Sequence, residues 1–171
     1  RDAYSEKKVR KGCQLRILTP SLAGVPNTAK EQASKLVALL RFEVSRSEVY
    51  RTLLKQIFNS SVVINIFLGK NSAAFVDSAD QWTFDFDDLL SLPIDPVTVR
   101  IHDHHREHNP KLCSTSGELK CGVTQGELLL HILEERYYMG RAGRGYTEAH
   151  LRCLSPGSYQ NQYRKELGLQ S

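Results

Sequence analysis

The chain has 171 residues, with 23 Lys+Arg against 19 Asp+Glu, six His, four Cys, one Met and one Trp. That length fits one domain, and 40% hydrophobic residues at a net charge of only +4 exclude a disordered chain. No apolar run approaches ~18 residues, so no membrane span is expected, and no G-X-Y period, heptad array or solenoid repeat occurs. Basic residues are interleaved with acids, apart from Lys7, Lys8, Arg10 and Lys11 near the start. This balance points to a protein or peptide partner over nucleic acid. The chain begins at Arg1 with no signal-like apolar run, which predicts a removed leader or a piece of something longer.

Residues 1–12 are polar and charged and are expected to form an arm, with 13–171 as a single domain. Leu15-Arg16-Ile17-Leu18 suggests a short strand ended by Pro20. Thr28 with Glu31 makes a capping-box pattern, followed by Ala33, Leu36, Val37, Leu40 and Val44 at helical spacing, which predicts a helix over 29–44. Ser47 caps a second helix, with Val49, Tyr50, Leu53, Leu54, Ile57 and Phe58 inward. The run 62–68 is a β-branched strand stopped by Gly69. Residues 73–77 and 82–86 are predicted as two more strands, the second pointing Trp82, Phe84 and Phe86 one way into the core. A turn-rich exit at 87–96 leads into a long loop over 100–122, with room for a hairpin. Thr124 and Glu127 form another capping box, opening a strongly apolar helix to Met139 that Gly140 and Gly143 stop. Two shorter helical segments follow, the first over 146–153 and the second ending at Gly168. The order of helices, a small sheet and more helices predicts an α+β fold: a small mixed sheet packed against helices.

One oddity on the apolar helix is His131. Residues four apart share a helical face, so His131 and Glu135 can aim at one point. Such a pair supplies half of a tetrahedral Zn²⁺ site, and His150, beyond a Gly-bearing turn, is the candidate third ligand. The fourth position would then fall to water, as in catalytic zinc sites. The competing reading makes His131 a hydrogen-bonded core histidine, with Glu134 and Glu135 solvated.

Three stretches carry a family resemblance: "TQGELLLHILEERYYM", "YTEAHL" and "NQYRKELGL". Together they resemble the zincin-type metalloprotease domains of secreted bacterial toxins and type III effectors, broadly the lethal-factor group. The first stretch stands where those families carry H-E-x-x-H or H-E-x-x-E. The second falls where some have a downstream His ligand. The third is similar to their Asn-x-Tyr-Arg-x-Glu-x-Gly tail. The resemblance implies a zincin-like fold, secretion, a protein or peptide substrate, and zinc held by His131, Glu135 and His150. It also implies a defect, because the position of the general-base Glu is Ile132, which cannot take a proton. Inverted zincins read H-x-x-E-H, and in that order Glu134 becomes the base. Two expectations follow: a divergent zinc metallopeptidase using Glu134, or a non-enzymatic protein-binding module on the same fold.

The segment 101–108 crowds four of the six His into seven positions, His102 to His108. His104 and His108 could join Cys113 and Cys121 as a Zn²⁺ site, or support a metal-dependent nuclease as a third function. The plainer alternatives are an exposed polar loop and a disulfide-closed hairpin between Cys113 and Cys121. Cys13 and Cys153 pair only if the termini meet. The acidic run from Asp77 to Asp88 lacks a calcium-loop register, and no dinucleotide, P-loop or serine-hydrolase motif is present.

Overall fold

The computed structural model describes residues 4–8, 15–20, 28–69, 72–76, 79–99, 119–143 and 145–169. Five strands form one mixed sheet in chain order: β1 (Tyr4–Lys8), β2 (Leu15–Pro20), β3 (Ile64–Phe67), β4 (Ala73–Val76) and β5 (Ala79–Thr83). Only the β2–β3 pair is parallel. A parallel pair needs a long crossover, and here it holds helices α1 (Thr28–Arg46) and α2 (Glu48–Phe58). After β5 come α3 (Phe86–Ser91) and the short antiparallel pair β6 (Val97–Val99) and β7 (Leu119–Cys121). Three helices finish the chain: α4 (Gln125–Ala142), α5 (Tyr146–Leu154) and α6 (Tyr159–Glu166). The α+β class, in one domain, follows. Among the described residues no helix is long and apolar enough to cross a membrane.

The apolar periods become the core. Leu36 and Leu40 of α1, Leu53 and Ile57 of α2, Ile17, Ile64 and Ile66 of the sheet, and Leu130 and Leu133 of α4 are all buried in one cluster. Each such side chain contributes about 1.5–3 kcal/mol by leaving water. Ser47 caps α2 as expected, its Oγ accepting from the Tyr50 N–H at 3.0 Å. Its backbone N–H still donates to the Glu43 carbonyl at 2.8 Å, so α2 follows α1 with no intervening loop.

Three segments depart from expectation. Residues 4–8, within the expected arm, pair antiparallel with β2. Main-chain hydrogen bonds hold an edge strand without apolar alternation, so Tyr-Ser-Glu-Lys-Lys carries no strand signal. The aromatic strand ends early: β5 stops at Thr83, and Asp85 caps α3 by accepting from the Asp87 and Asp88 N–H groups. Trp82 therefore parts from the other two aromatics: Phe86 enters the core with Phe84 against it, and Trp82 lies at the surface at 43% exposure. The third departure is α4, which runs through Gly140 to Ala142 before Gly143 closes it in the left-handed region (φ 59°). Gly140 sits where the helix crosses the sheet. A Cβ there would lie 2.5 Å from Val62 Cγ1 and 2.7 Å from Val76 Cγ1.

The C-terminal tail clamps these pieces together. The Tyr163 hydroxyl donates to Glu43 Oε2 (2.7 Å), and Arg46 donates to Glu43 Oε1 (2.7 Å). The Glu166 carboxylate accepts from the Ser47 hydroxyl (2.5 Å) and the Glu48 N–H (3.0 Å) at the start of α2. Asn161 Nδ2 donates to the Leu154 and Ser155 carbonyls, fixing the α5–α6 turn.

Overpacking at the α4–sheet crossing should be measurable. Gly140→Val is expected to lower the unfolding free energy by about 1–3 kcal/mol in urea titrations, with α-helical circular dichroism retained.

Candidate metal centre

Helix α4 is buried on most of its circumference and yet carries Glu127, Glu134, Glu135 and Arg136, all under 4% exposed. Burying a charge without a partner is costly, so each must be matched. Their partners define the site.

Glu127 does not close the expected capping box. Thr124 makes its half, accepting from the Glu127 N–H at 3.1 Å. The Glu127 carboxylate turns instead to α6, where Oε1 accepts from Arg164 and Oε2 accepts from Gln160 Nε2 at 3.3 Å. That second contact orients the Gln160 amide. Its Oε1 then faces His131 Nδ1 at 2.7 Å. An amide oxygen only accepts, so His131 carries a proton on Nδ1 and turns Nε2 toward Glu135 and His150.

Around His131 Nε2 the three candidate ligands converge. His131 Nε2 lies 3.2 Å from Glu135 Oε2 and 3.1 Å from His150 Nδ1, and His150 Nδ1 lies 2.9 Å from Glu135 Oε2. Glu135 Oε2 can accept from either imidazole, so hydrogen bonds hold the triangle together. A central cation satisfies all three corners. Three corners of a tetrahedron with bonds of about 2.0–2.1 Å have edges of roughly 3.3 Å, close to the observed triangle. His131, Glu135 and His150 thus form a group able to hold a metal ion.

The three groups also set one another's charge. Burial pulls the His131 imidazole down, but its hydrogen bonds to Glu135 and Gln160 outweigh this and hold it above its ordinary value. Burial pushes the Glu135 carboxyl up, yet the hydrogen bonds from His131 and His150 and the charge of Arg136 hold it below the usual carboxylate range. The carboxylate is therefore ionised and ready to bind a cation. Its other oxygen, Oε1, accepts from Arg136 Nη2 at 3.3 Å.

Glu134 does not join the triangle. Its Oε2 accepts from the Tyr138 hydroxyl and from the Tyr159 N–H (2.9 Å), and Oε1 accepts from the Gln160 N–H (2.8 Å). It sits on the N-terminus of α6, where a negative charge meets unpaired N–H groups and the positive end of the helix dipole. Ile132, which follows His131, is buried in the core.

Cys153 is a free, buried thiol, and Cys13 lies outside the described residues. Burial and the nearby Glu134 and Glu135 charges push that thiol up, away from the thiolate form that metal ligation or nucleophilic attack requires. The His102–His108 run and Cys113 lie outside the described residues, and of Cys121 only its place in β7 is described.

Residues supporting the triangle were not singled out in the sequence. Arg164 and Tyr163 belong to the "NQYRKELGL" stretch, but nothing in the pattern marks Gln160 or Glu127 as partners of His131. Nor does the pattern mark Tyr146, which stacks on His150, or Trp82, which stacks on Tyr146. Comparison with protein-family models, with curated proteins and with solved structures finds no match for this chain.

The geometry separates the two adjacent glutamates. Glu134→Gln is expected to cost about 1–2 kcal/mol of stability in urea titration, as lost helix caps do, and to leave metal-ion affinity unchanged.

Proposed function

We propose that this chain is a zinc-binding domain on a zincin-like framework, of the kind used by secreted toxins and effectors, which binds a protein or peptide and has lost hydrolysis. The observation that carries the metal reading is the triangle of His131 Nε2, Glu135 Oε2 and His150 Nδ1. Two imidazoles and one carboxylate suit Zn²⁺, and three protein ligands leave a fourth position open. Bound there, zinc would supply a Lewis-acid centre for a water or a peptide carbonyl.

The chain's own residues explain the loss of hydrolysis. A peptidase needs a carboxylate within hydrogen-bond reach of the attacking water. Ile132 has no proton acceptor, and Glu134 already accepts three hydrogen bonds. Releasing Glu134 would give up its hydrogen bonds to the Tyr159 and Gln160 N–H groups in the first turn of α6. The order of sheet and helices fits the framework: α4 carries two ligands beneath the sheet, and β5 is the outer strand of the sheet among the described residues. A strand with one unpaired edge can take an extended peptide by main-chain hydrogen bonds.

Titration of metal-free protein with ZnCl₂ by calorimetry is expected to give one site per chain, lost in His131→Ala and Glu135→Ala. Gln160→Ala should weaken binding by about 10–100-fold, as removal of a metal ligand's hydrogen-bond partner does. Zinc at 100 times its dissociation constant should stabilise the fold by about 2.7 kcal/mol. Absence of zinc uptake would sink the metal reading. Cleavage of an unstructured protein by the zinc-loaded chain, abolished by Glu134→Gln, would establish the active peptidase instead.

A further inference from the structure

The three ligands are not equally held. His131 and Glu135 share one turn of a buried helix, and Gln160 and Arg136 hold their remaining atoms. His150 stands on α5, a nine-residue helix that buries only Ala149 and Cys153 and whose N-cap, Gly145, makes no side-chain hydrogen bond. The hydrogen bonds of His150 run through Nδ1 alone, to His131 and Glu135. These contacts fix the distance of that nitrogen without fixing the plane of the ring.

The ring plane is set by aromatic packing. Tyr146, one helical turn before His150, stacks on it with ring centroids 5.6 Å apart and planes 26° apart. Trp82 of β5 stacks in turn against Tyr146, at 4.5 Å and 12°. Arg136, the partner of Glu135, lies over the same Tyr146 ring, its Cζ 5.9 Å from the centroid. A metal ion must lie near the plane of the imidazole that binds it, so a stack that holds the plane also holds the ligand's aim. Offset aromatic stacking of this kind contributes beyond simple burial.

We infer that Trp82 and Tyr146 are positioning residues for His150, so that the outer strand of the sheet sets the affinity and geometry of the metal centre. This rests on the metal reading above. It assigns a task to an exposed tryptophan that the core does not use, and it ties the strand suited to a peptide directly to the third ligand. A group that displaces Trp82 from Tyr146 frees the His150 ring, and zinc binding in turn favours the stacked arrangement.

The full-length chain tests this through zinc affinity and two spectroscopic signals. Trp82 is the one tryptophan of the chain, so its fluorescence reports the stack directly. Addition of ZnCl₂ to the wild type is expected to change that fluorescence, with the change absent in His131→Ala. Trp82→Ala and Tyr146→Leu are expected to weaken zinc binding at least tenfold, in the range seen for residues that orient metal ligands. They should also shift the visible spectrum of the cobalt(II)-loaded protein, while Trp82→Phe restores both. Circular dichroism and melting curves establish that each variant is folded. Folded Trp82→Ala and Tyr146→Leu variants that bind zinc like the wild type would overturn the inference and leave the metal reading standing. A wild type that binds zinc with no change in fluorescence would also overturn it. A wild type that takes up no zinc overturns both.

Discussion

A buried helix that carries four charges has few ways to be stable, and α4 illustrates the constraint. Glu127, Glu134, Glu135 and Arg136 lie out of water within ten positions. Each carboxylate meets a different kind of partner: Glu127 an arginine and an amide, Glu134 a helix N-terminus, Glu135 an arginine and two imidazoles. Desolvation makes every one of these pairings obligatory, because a single missing partner leaves a charge stranded. The placement of α5 and α6 follows. Both helices lie where they do because α4 needs their donors.

The same constraint explains why so much of the fold was legible in the sequence and so much of the site was not. Apolar periodicity reports which face of a helix meets the core, and it placed α1, α2 and α4 within a few residues. It says nothing of polar groups that pair across long separations. Glu127 looked like half of a capping box because a local partner was available at Thr124, and the tertiary partner Arg164 won. The convergence of His131, Glu135 and His150 was visible because two of them obey the i, i+4 rule and the third belongs to a stretch with a family likeness. Gln160 and Trp82 obey no such rule. Their roles arise from the angle at which α5 and α6 return over α4, which no periodicity encodes. The early end of β5 was missed for a similar reason: alternating aromatics suggest a strand, but Asp85 stops it by capping α3.

The "NQYRKELGL" stretch takes on a different meaning in the structure. Its residues are neither ligands nor acid–base groups. Asn161 fixes a turn, Tyr163 and Glu166 fasten α1 and α2, and Arg164 neutralises the glutamate that orients Gln160. A motif can resemble a catalytic family through its scaffold.

The distribution of these contacts along the chain bears on how the molecule assembles. His131, Glu135, His150, Gln160, Glu127 and Arg164 all fall between residues 127 and 164, on helices joined by short turns. Loops this short close at small entropic cost. The β2–β3 parallel pair, by contrast, must wait for a crossover that includes both α1 and α2. Chains rich in local contacts fold fast, and non-local strand pairing slows them. The ligand cluster therefore belongs to the fast-forming part of the chain. Trp82 lies outside it, and reaches the cluster only through its long-range stack on Tyr146.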